Sequence, residues 1–137
     1  MSRIKNHYHQ EINELSDSHR WKMVDKDVFN FTTHNTDEIN INGTSLKGYI
    51  NCSFRELTRA FGDPHNSDKY KSDAGWDIEF ADGLVATIYN WKDGKNYCGN
   101  EGADVFDIIE WNVGGNVKDV VERIRYILKS GAKYETY

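Results

Sequence analysis

The fold is decided by residues 75–91, GWDIEFADGLVATIYNW. Apolar and polar residues alternate on both sides of Asp82-Gly83, and Asp-Gly suits the two-residue turn of a β-hairpin because both central positions need positive φ. With that turn Phe80 pairs with Val85, and the pairing sets which side chains share a face. One predicted face carries Trp76, Ile78, Phe80, Val85, Thr87, Tyr89 and Trp91, and the other carries Asp77, Glu79, Ala86, Ile88 and Asn90.

Two strands and a helix are predicted on the N-terminal side of the hairpin. Residues 28–33 alternate apolar and polar side chains, and residues 45–51 follow the Asn42-Gly43 turn, so both segments are predicted as short strands. Ser53, followed three residues later by Glu56, forms a capping box in front of a short helix that ends at Gly62.

The C-terminal side of the hairpin predicts one more strand and a closing helix. The polar residues 96–104 are interpreted as an irregular loop and residues 105–111 as a strand. Gly114-Gly115 is interpreted as the turn into a last helix, which Asn116 caps. The order β-β-α-β-β-β-α predicts an α+β fold in which two helices pack on a small antiparallel sheet.

The chain of 137 residues suits one domain, and its single proline and lack of Ser/Gly tracts predict no flexible linker. Residues 1–27 are richer in His, Asn and charged residues than the remainder, and we interpret them as a short helical arm. The predicted organisation is an N-terminal arm over 1–27 and one α+β ligand-binding domain over 28–137.

The composition excludes several classes of partner. Asp and Glu number 22 against 17 Lys and Arg, which argues against a nucleic-acid polymer because such binding places many cations on phosphates. The sequence shows no apolar stretch suited to a membrane span or secretory signal, which predicts a cytoplasmic protein without a membrane partner. Cys52 and Cys98 lack CxxC spacing and the histidines match no metal motif, so neither a metal nor a cofactor is predicted.

Four arginines are candidates for contacts with an anionic ligand. Arg55 and Arg59 lie one helical turn apart, a spacing that fits either a phosphate between them or a solvated helix surface. Arg123 and Arg125 fall on opposite borders of the apolar stripe of the last helix. They could line a groove, serve different subunits or cover the edge of the core.

Two rings of the hairpin, Phe80 and Trp91, are candidates for stacking on a base. Aromatic residues at alternating positions are typical of a core. Rings make up 13% of this chain, more than one small core needs, so a ring at a strand end is available as a stacking platform.

Catalysis is the weaker hypothesis. Asp77 and Glu79 share one strand face about 7 Å apart, but the sequence places no histidine beside them. No nucleophile elbow, phosphate-binding loop or dinucleotide fingerprint is present. We therefore expect a protein that is not an enzyme, while an enzyme using these two carboxylates on a small nucleotide stays open.

Three segments together resemble a pattern of small bacteriophage proteins: FGDP (61–64), DKYKSDAGWDIEFADGLVATIYNWKDGK (68–95) and WNVGG (111–115). Within that group the chain resembles the first type of the Thoeris anti-defence family of signal-sequestering sponges. The resemblance covers roughly residues 46–129.

The resemblance implies a homo-oligomer that binds cyclic ADP-ribose isomers, in some members also cyclic oligonucleotides, without cleaving them. Pockets at subunit contacts would keep the immune signal from the defence effector of the host. Carried onto this chain, the site would use Phe80 and Trp91 for stacking, Asn90 for hydrogen bonds, and Arg55, Arg59, Arg123 or Arg125 for the pyrophosphate. A regular hairpin turns Asn90 away from both rings, a conflict that a β-bulge or a pocket shared by two chains would resolve.

The main alternative is a phage protein that inhibits a host defence protein by direct protein–protein binding. The formal charge of −5 suits an acidic surface that imitates nucleic acid, and this function needs no pocket.

Overall fold

The computed structural model of the chain describes residues 30–66 and 72–131. The strands are β1 (Phe31–Thr33), β2 (Ser45–Asn51), β3 (Gly75–Phe80), β4 (Val85–Tyr89) and β5 (Glu110–Gly115), and the helices are α1 (Phe54–Phe61), α2 (Lys95–Cys98) and α3 (Asp119–Ser130). The strands form one antiparallel sheet in the order β1-β3-β4-β5-β2. The predicted α+β class is confirmed, and the arm predicted over 1–27 lies outside the described residues.

Helix α1 packs on one face of the sheet over two tryptophans. The ring of Phe54 lies 5.8 Å from that of Trp76 and 6.4 Å from that of Trp111, and both tryptophans are fully buried. Their indole N–H groups donate to the carbonyl oxygens of Gly62 and Cys52 at the two ends of α1. The helix is therefore anchored by both burial and satisfied polar atoms.

Helix α3 packs on the same face, where two strand glycines let it approach closely. A Cβ on Gly48 would lie 3.2 Å from a methyl group of Val121, and one on Gly115 would lie 2.5 Å from a methyl group of Val120. Without side chains at these two positions the helix can sit directly on the backbone of the sheet.

Two predicted elements are confirmed at their predicted positions. Strand β2 covers residues 45–51. Helix α1 begins after Ser53, whose hydroxyl accepts from the N–H of Glu56 while the Glu56 carboxylate accepts from the N–H of Ser53. This capping box satisfies the backbone N–H groups of Ser53 and Glu56 within four residues, so the helix can begin here without contacts from distant segments.

The hairpin is present, but its predicted register is wrong by one residue. The loop has three residues, 81–83, with Phe80 bonded to Leu84 and Gly83 at φ +95°, as in hairpins where a type I turn precedes a residue with positive φ. Thr87 therefore lies opposite Asp77 rather than Ile78. Because a shift of one residue exchanges the faces of a strand, Ala86 and Ile88 pack towards the helices and Val85, Thr87 and Tyr89 face the other way.

The strand predicted over 105–111 is displaced. Residues 105–107 form a 3₁₀ turn because the Asp104 carboxylate accepts from the N–H of Phe106. The strand runs instead through Gly114 and Gly115, which pair with β4. Asn116 does not cap α3, since its side-chain oxygen accepts from the backbone N–H of Val85.

The segment predicted as an irregular loop contains helix α2 and a 3₁₀ turn over residues 99–101. Within the part of the chain that the structure describes, no helix combines the length and apolar character that a bilayer crossing requires.

Candidate ligand-binding site

On the face of the sheet opposite α1 and α3, called the far face, two glycines leave a hollow. Gly75 lies across from Tyr89, and Gly114 lies across from Thr87. A Cβ on Gly75 would lie 2.9 Å from Cε1 of His65, and one on Gly114 would lie 2.6 Å from Oγ1 of Thr87. A side chain at either position would crowd these atoms, and the space left above the strands is a cavity of about 270 Å³.

Separate segments of the chain wall this far-face cavity. Strands β3 and β4 form its floor, the segment after α1 forms one side, and the turn before β2 forms another. Its principal side chains are Ile41, Thr44, His65, Asp77, Thr87, Tyr89 and Trp91. No Lys or Arg of the described residues lines it.

An imidazole–carboxylate pair forms one wall. His65 extends the sheet as an isolated bridge to Gly75, with N–H···O distances of 2.8 and 2.9 Å in the two directions. This backbone pairing carries the ring over the strand, and Nε2 of His65 lies 3.0 Å from Oδ1 of Asp77. The pair holds the carboxylate in one orientation beside the cavity.

His34 contacts both members of this pair. Its Nδ1 accepts from the backbone N–H of Asp77 at 3.3 Å, and its Nε2 lies 2.9 Å from the carbonyl oxygen of Asp63, so these partners assign the neutral tautomer with hydrogen on Nε2. Its ring meets that of His65 edge to face at 4.8 Å. Burial, and secondly the neighbouring His65, lower the pKa of His34.

Two aromatic rings form the opposite wall. Tyr89 and Trp91 lie edge to face with centroids 6.1 Å apart, and Trp91 remains 43% exposed. Burial raises the pKa of the Tyr89 hydroxyl, and the hydrogen bond with Asn112 lowers it by less. The Lys92 ammonium lies 5.7 Å from the centroid of the Trp91 ring, so a cation stands beside this exposed indole.

Of the predicted ligand-binding residues, only Trp91 lines the far-face cavity. Phe80 is 1% exposed and lies on the helix face of β3, on the other side of the sheet from Trp91. Arg123 is 4% exposed, and its guanidinium lies 4.9 Å from the centroid of the Phe80 ring. The structure thus brings Phe80 and Arg123 together with each other, away from this cavity.

Arg123 binds two carboxylates. It donates two hydrogen bonds to Asp82 at 2.9 and 2.8 Å and a longer one of 3.3 Å to Asp119. The hydrogen bonds from Arg123 are the main cause that lowers the pKa of Asp82. The arrangement joins α3 to the loop of the hairpin.

Asn90 is buried at the end of β4, where it organises the loops. Its side-chain oxygen accepts from the backbone N–H groups of Asp73 and Ala74, and its amide nitrogen donates to the carboxylates of Asp73 and Asp93. These bonds shape the backbone beside the cavity while Trp91, the next residue, faces it.

The other three arginines predicted to bind ligand, Arg55, Arg59 and Arg125, are exposed and spread over the surface. Arg55 lies on α1 with its guanidinium 5.5 Å from the centroid of the Phe106 ring, and Arg59 lies in the last turn of that helix. Arg125 donates to the carbonyl oxygen of Tyr49 at the edge strand β2 and to Glu122. None of the three lines the far-face cavity.

The sequence reasoning missed the histidine beside Asp77, and the statement that no histidine accompanies this carboxylate is wrong. His65 follows a helix terminus and joins the sheet through one bridge, so no periodic pattern marks it. The glycines were the available signal: a glycine inside a predicted strand indicates a close approach of another group. Gly75 and Gly114 both have this role.

Across residues 30–66 and 72–131, His, Cys, Asp and Glu form no group of three or more with the geometry to hold a metal ion.

A comparison with models of known protein families finds none that matches this chain, and a comparison with curated proteins finds no match either.

Proposed function

We propose that the protein binds the base of a small nucleotide in the far-face cavity and retains the ligand without chemical change. The observation that carries this proposal is the half-exposed indole of Trp91 beside Tyr89 at a cavity of about 270 Å³. Exposed rings at the mouth of a concave site bind bases by stacking.

The size and charge of the cavity favour a base over a phosphate group inside it. Its volume lies just below the range of about 300–1,000 Å³ for sites that enclose drug-sized ligands, so it suits one ring system. The phosphates of such a ligand would remain near the mouth, where Lys92 stands beside Trp91. A ligand with one base and an adjacent pyrophosphate fits this arrangement.

We further propose that the ligand is a cyclic ADP-ribose isomer or a related cyclic nucleotide, sequestered in the cytoplasm of a bacterial host during phage infection. The support for this identity is the resemblance to the anti-defence sponges. Sequestration works by mass action and requires tight binding and no turnover.

Calorimetric titration with cyclic ADP-ribose isomers and cyclic di- and trinucleotides tests the proposal. Trp91→Ala should weaken binding by about 5- to 150-fold, the effect of losing one stacked base. Phe106→Ala is the matched control, because this ring is exposed but lies against Arg55, away from the cavity. Binding of no ligand, or equal affinity in wild type and Trp91→Ala, would refute the proposal and favour inhibition of a host protein.

A second candidate function is hydrolysis, favoured by the contact between His65 and Asp77. A carboxylate that orients an imidazole is the arrangement used to move protons at a reacting centre. Chromatography of the ligand recovered from the complex separates the two functions. Intact ligand supports retention, while a linear product that disappears in His65→Ala supports catalysis.

The proposal includes a homo-oligomer, and its support in the fold is apolar surface near the cavity. Ile41, Leu46 and Tyr49 are each about half exposed, and the last two lie on the far face of edge strand β2. Light scattering of the purified protein gives the mass in solution. A monomer with and without ligand would contradict this part of the proposal.

A further inference from the structure

We infer that Asp77 and Thr87 bind the edge of the base, and that Asp77 selects a base with an exocyclic amine next to a ring-nitrogen acceptor, as in adenine and cytosine. The inference rests on the proposed function, since it assigns the polar contacts of the same cavity.

The two side chains are neighbours on the floor of the cavity. Asp77 in β3 lies directly across from Thr87 in β4, and Thr87 lies across from Gly114 in β5. Directly opposed residues hold their Cβ atoms about 5 Å apart. The missing side chain at Gly114 leaves the Thr87 hydroxyl approachable from the cavity.

The hydrogen-bonding capacity of this pair is only partly used. Oδ1 of Asp77 is in contact with His65, while Oδ2 has no hydrogen bond to the described residues. The Thr87 hydroxyl likewise makes none within the described part of the chain. One carboxylate oxygen and one hydroxyl are thus available, side by side, to a ligand.

Their chemistry specifies the edge that they can bind. An ionised carboxylate only accepts hydrogen bonds, and a hydroxyl can donate one. Together they match an amine that donates and a ring nitrogen that accepts, the pair that adenine presents at N6 and N1. Hypoxanthine reverses both groups, so its carbonyl would face the carboxylate, and a site built for one pattern discriminates against the other.

His65 acts here as a positioning residue. Its contact with Oδ1 restricts rotation of the carboxylate and directs Oδ2 to one place. Position beside the cavity is required as well as charge. Glu79 lies two residues further along β3, on the same face and with the same charge as Asp77, but it does not line the cavity. Glu79→Gln is therefore the matched control for Asp77→Asn.

The test is titration of the full chain with adenosine 5′-monophosphate and, separately, with inosine 5′-monophosphate. Trp fluorescence or calorimetry measures the binding. Wild type and Glu79→Gln should prefer the adenine ligand by about tenfold or more, the effect of a charge-assisted hydrogen bond. Asp77→Asn should lose this preference, because an amide can present a donor to the carbonyl of hypoxanthine. Thr87→Val, which keeps the shape of the side chain, should weaken both ligands, because the hydroxyl can donate to the ring nitrogen of adenine or accept from the N1–H of hypoxanthine.

Equal affinity of wild type for both ligands, an unchanged preference in Asp77→Asn, or unchanged affinities in Thr87→Val would overturn the inference and leave the proposed function intact. Binding of neither mononucleotide by a wild type that binds a cyclic nucleotide would overturn this inference alone. Binding of neither the mononucleotides nor any cyclic nucleotide would overturn the proposed function and this inference with it.

Discussion

At the scale of single residues, His34 couples stability to pH. Its pKa in the folded protein lies below the ordinary value of 6.5, chiefly because the ring is buried. The unfolded chain therefore binds more protons as the pH falls through this range, and the free energy of unfolding must fall with it. The stabilisation is present above about pH 6.5 and is lost on acidification.

We expect the free energy of unfolding in urea to decrease from about pH 7 to about pH 5, and to decrease less in His34→Gln, which has no ionisable ring. Denaturation curves of both proteins across this range give the comparison. The same pH dependence in the two proteins would assign the effect to other groups.

The two cysteines differ in reactivity for a reason visible at each thiol. Burial, and secondly the charge of Glu56, raise the pKa of Cys52 to about 12, whereas Cys98 is exposed. Because the thiolate is the reactive form, a thiol reagent at about pH 8 should modify one cysteine in the folded protein and two in denaturant. Cys98→Ser should abolish the reaction of the folded protein, and Cys52→Ser should leave it. Rapid modification of both thiols would contradict this assignment.

At the scale of elements, adjacent glycines of β5 serve opposite faces of the sheet. A Cβ on Gly115 would lie 2.5 Å from Val120 and 2.9 Å from the carbonyl oxygen of Val85, which cannot move aside. We expect Gly115→Ala to cost about 1–3 kcal/mol of stability through this overpacking. Gly114→Ala meets the hydroxyl of Thr87, which can rotate, so it should cost less stability while it occupies the cavity and weakens ligand binding.

Urea denaturation and ligand titration of the two alanine variants separate these roles. The assignment of the two glycines to opposite faces would be contradicted if Gly114→Ala and Gly115→Ala lost similar stability and Gly114→Ala bound ligand as well as wild type.

At the scale of the whole molecule, Arg123 connects α3 with the hairpin loop. It is 4% exposed, packs against the Phe80 ring and donates to two carboxylates, so Arg123→Ala should cost about 2 kcal/mol by removing this packing and these charge-assisted hydrogen bonds. Arg125→Ala, on the exposed side of the same helix, should cost less than about 1 kcal/mol. Because the pKa of Asp82 is lowered by Arg123, the contribution of the pair should disappear as the pH falls below about 4.

Thermal and urea unfolding of the two arginine variants check this difference. Equal stability of Arg123→Ala and Arg125→Ala would contradict a structural role for the buried Arg123 side chain. Ligand affinity of Arg123→Ala has to be compared at conditions where the variant is folded, because loss of folded protein also reduces apparent binding.

The sequence alone determined the elements whose signals are local. The Ser53 capping box predicts the start of α1, and the Asn42-Gly43 turn predicts that a strand follows it, because each signal acts between residues close in the chain. The Asp82-Gly83 turn likewise predicts a hairpin. These features led to the α+β class and to Trp91 as an exposed ring, which the structure shows half exposed at the cavity.

Only the tertiary structure decided which side chains meet. Asp82-Gly83 suits a two-residue and a three-residue loop, and the longer loop places Ala86 and Ile88 towards the helices. That choice exchanges the faces of β4, moves Tyr89 and Trp91 away from Phe80, and aligns Thr87 with Asp77. The position of His65 beside Asp77 depends on one bridge between distant segments. Register and long-range pairing minimise the free energy of the packed molecule as a whole, so no short stretch of sequence contains them.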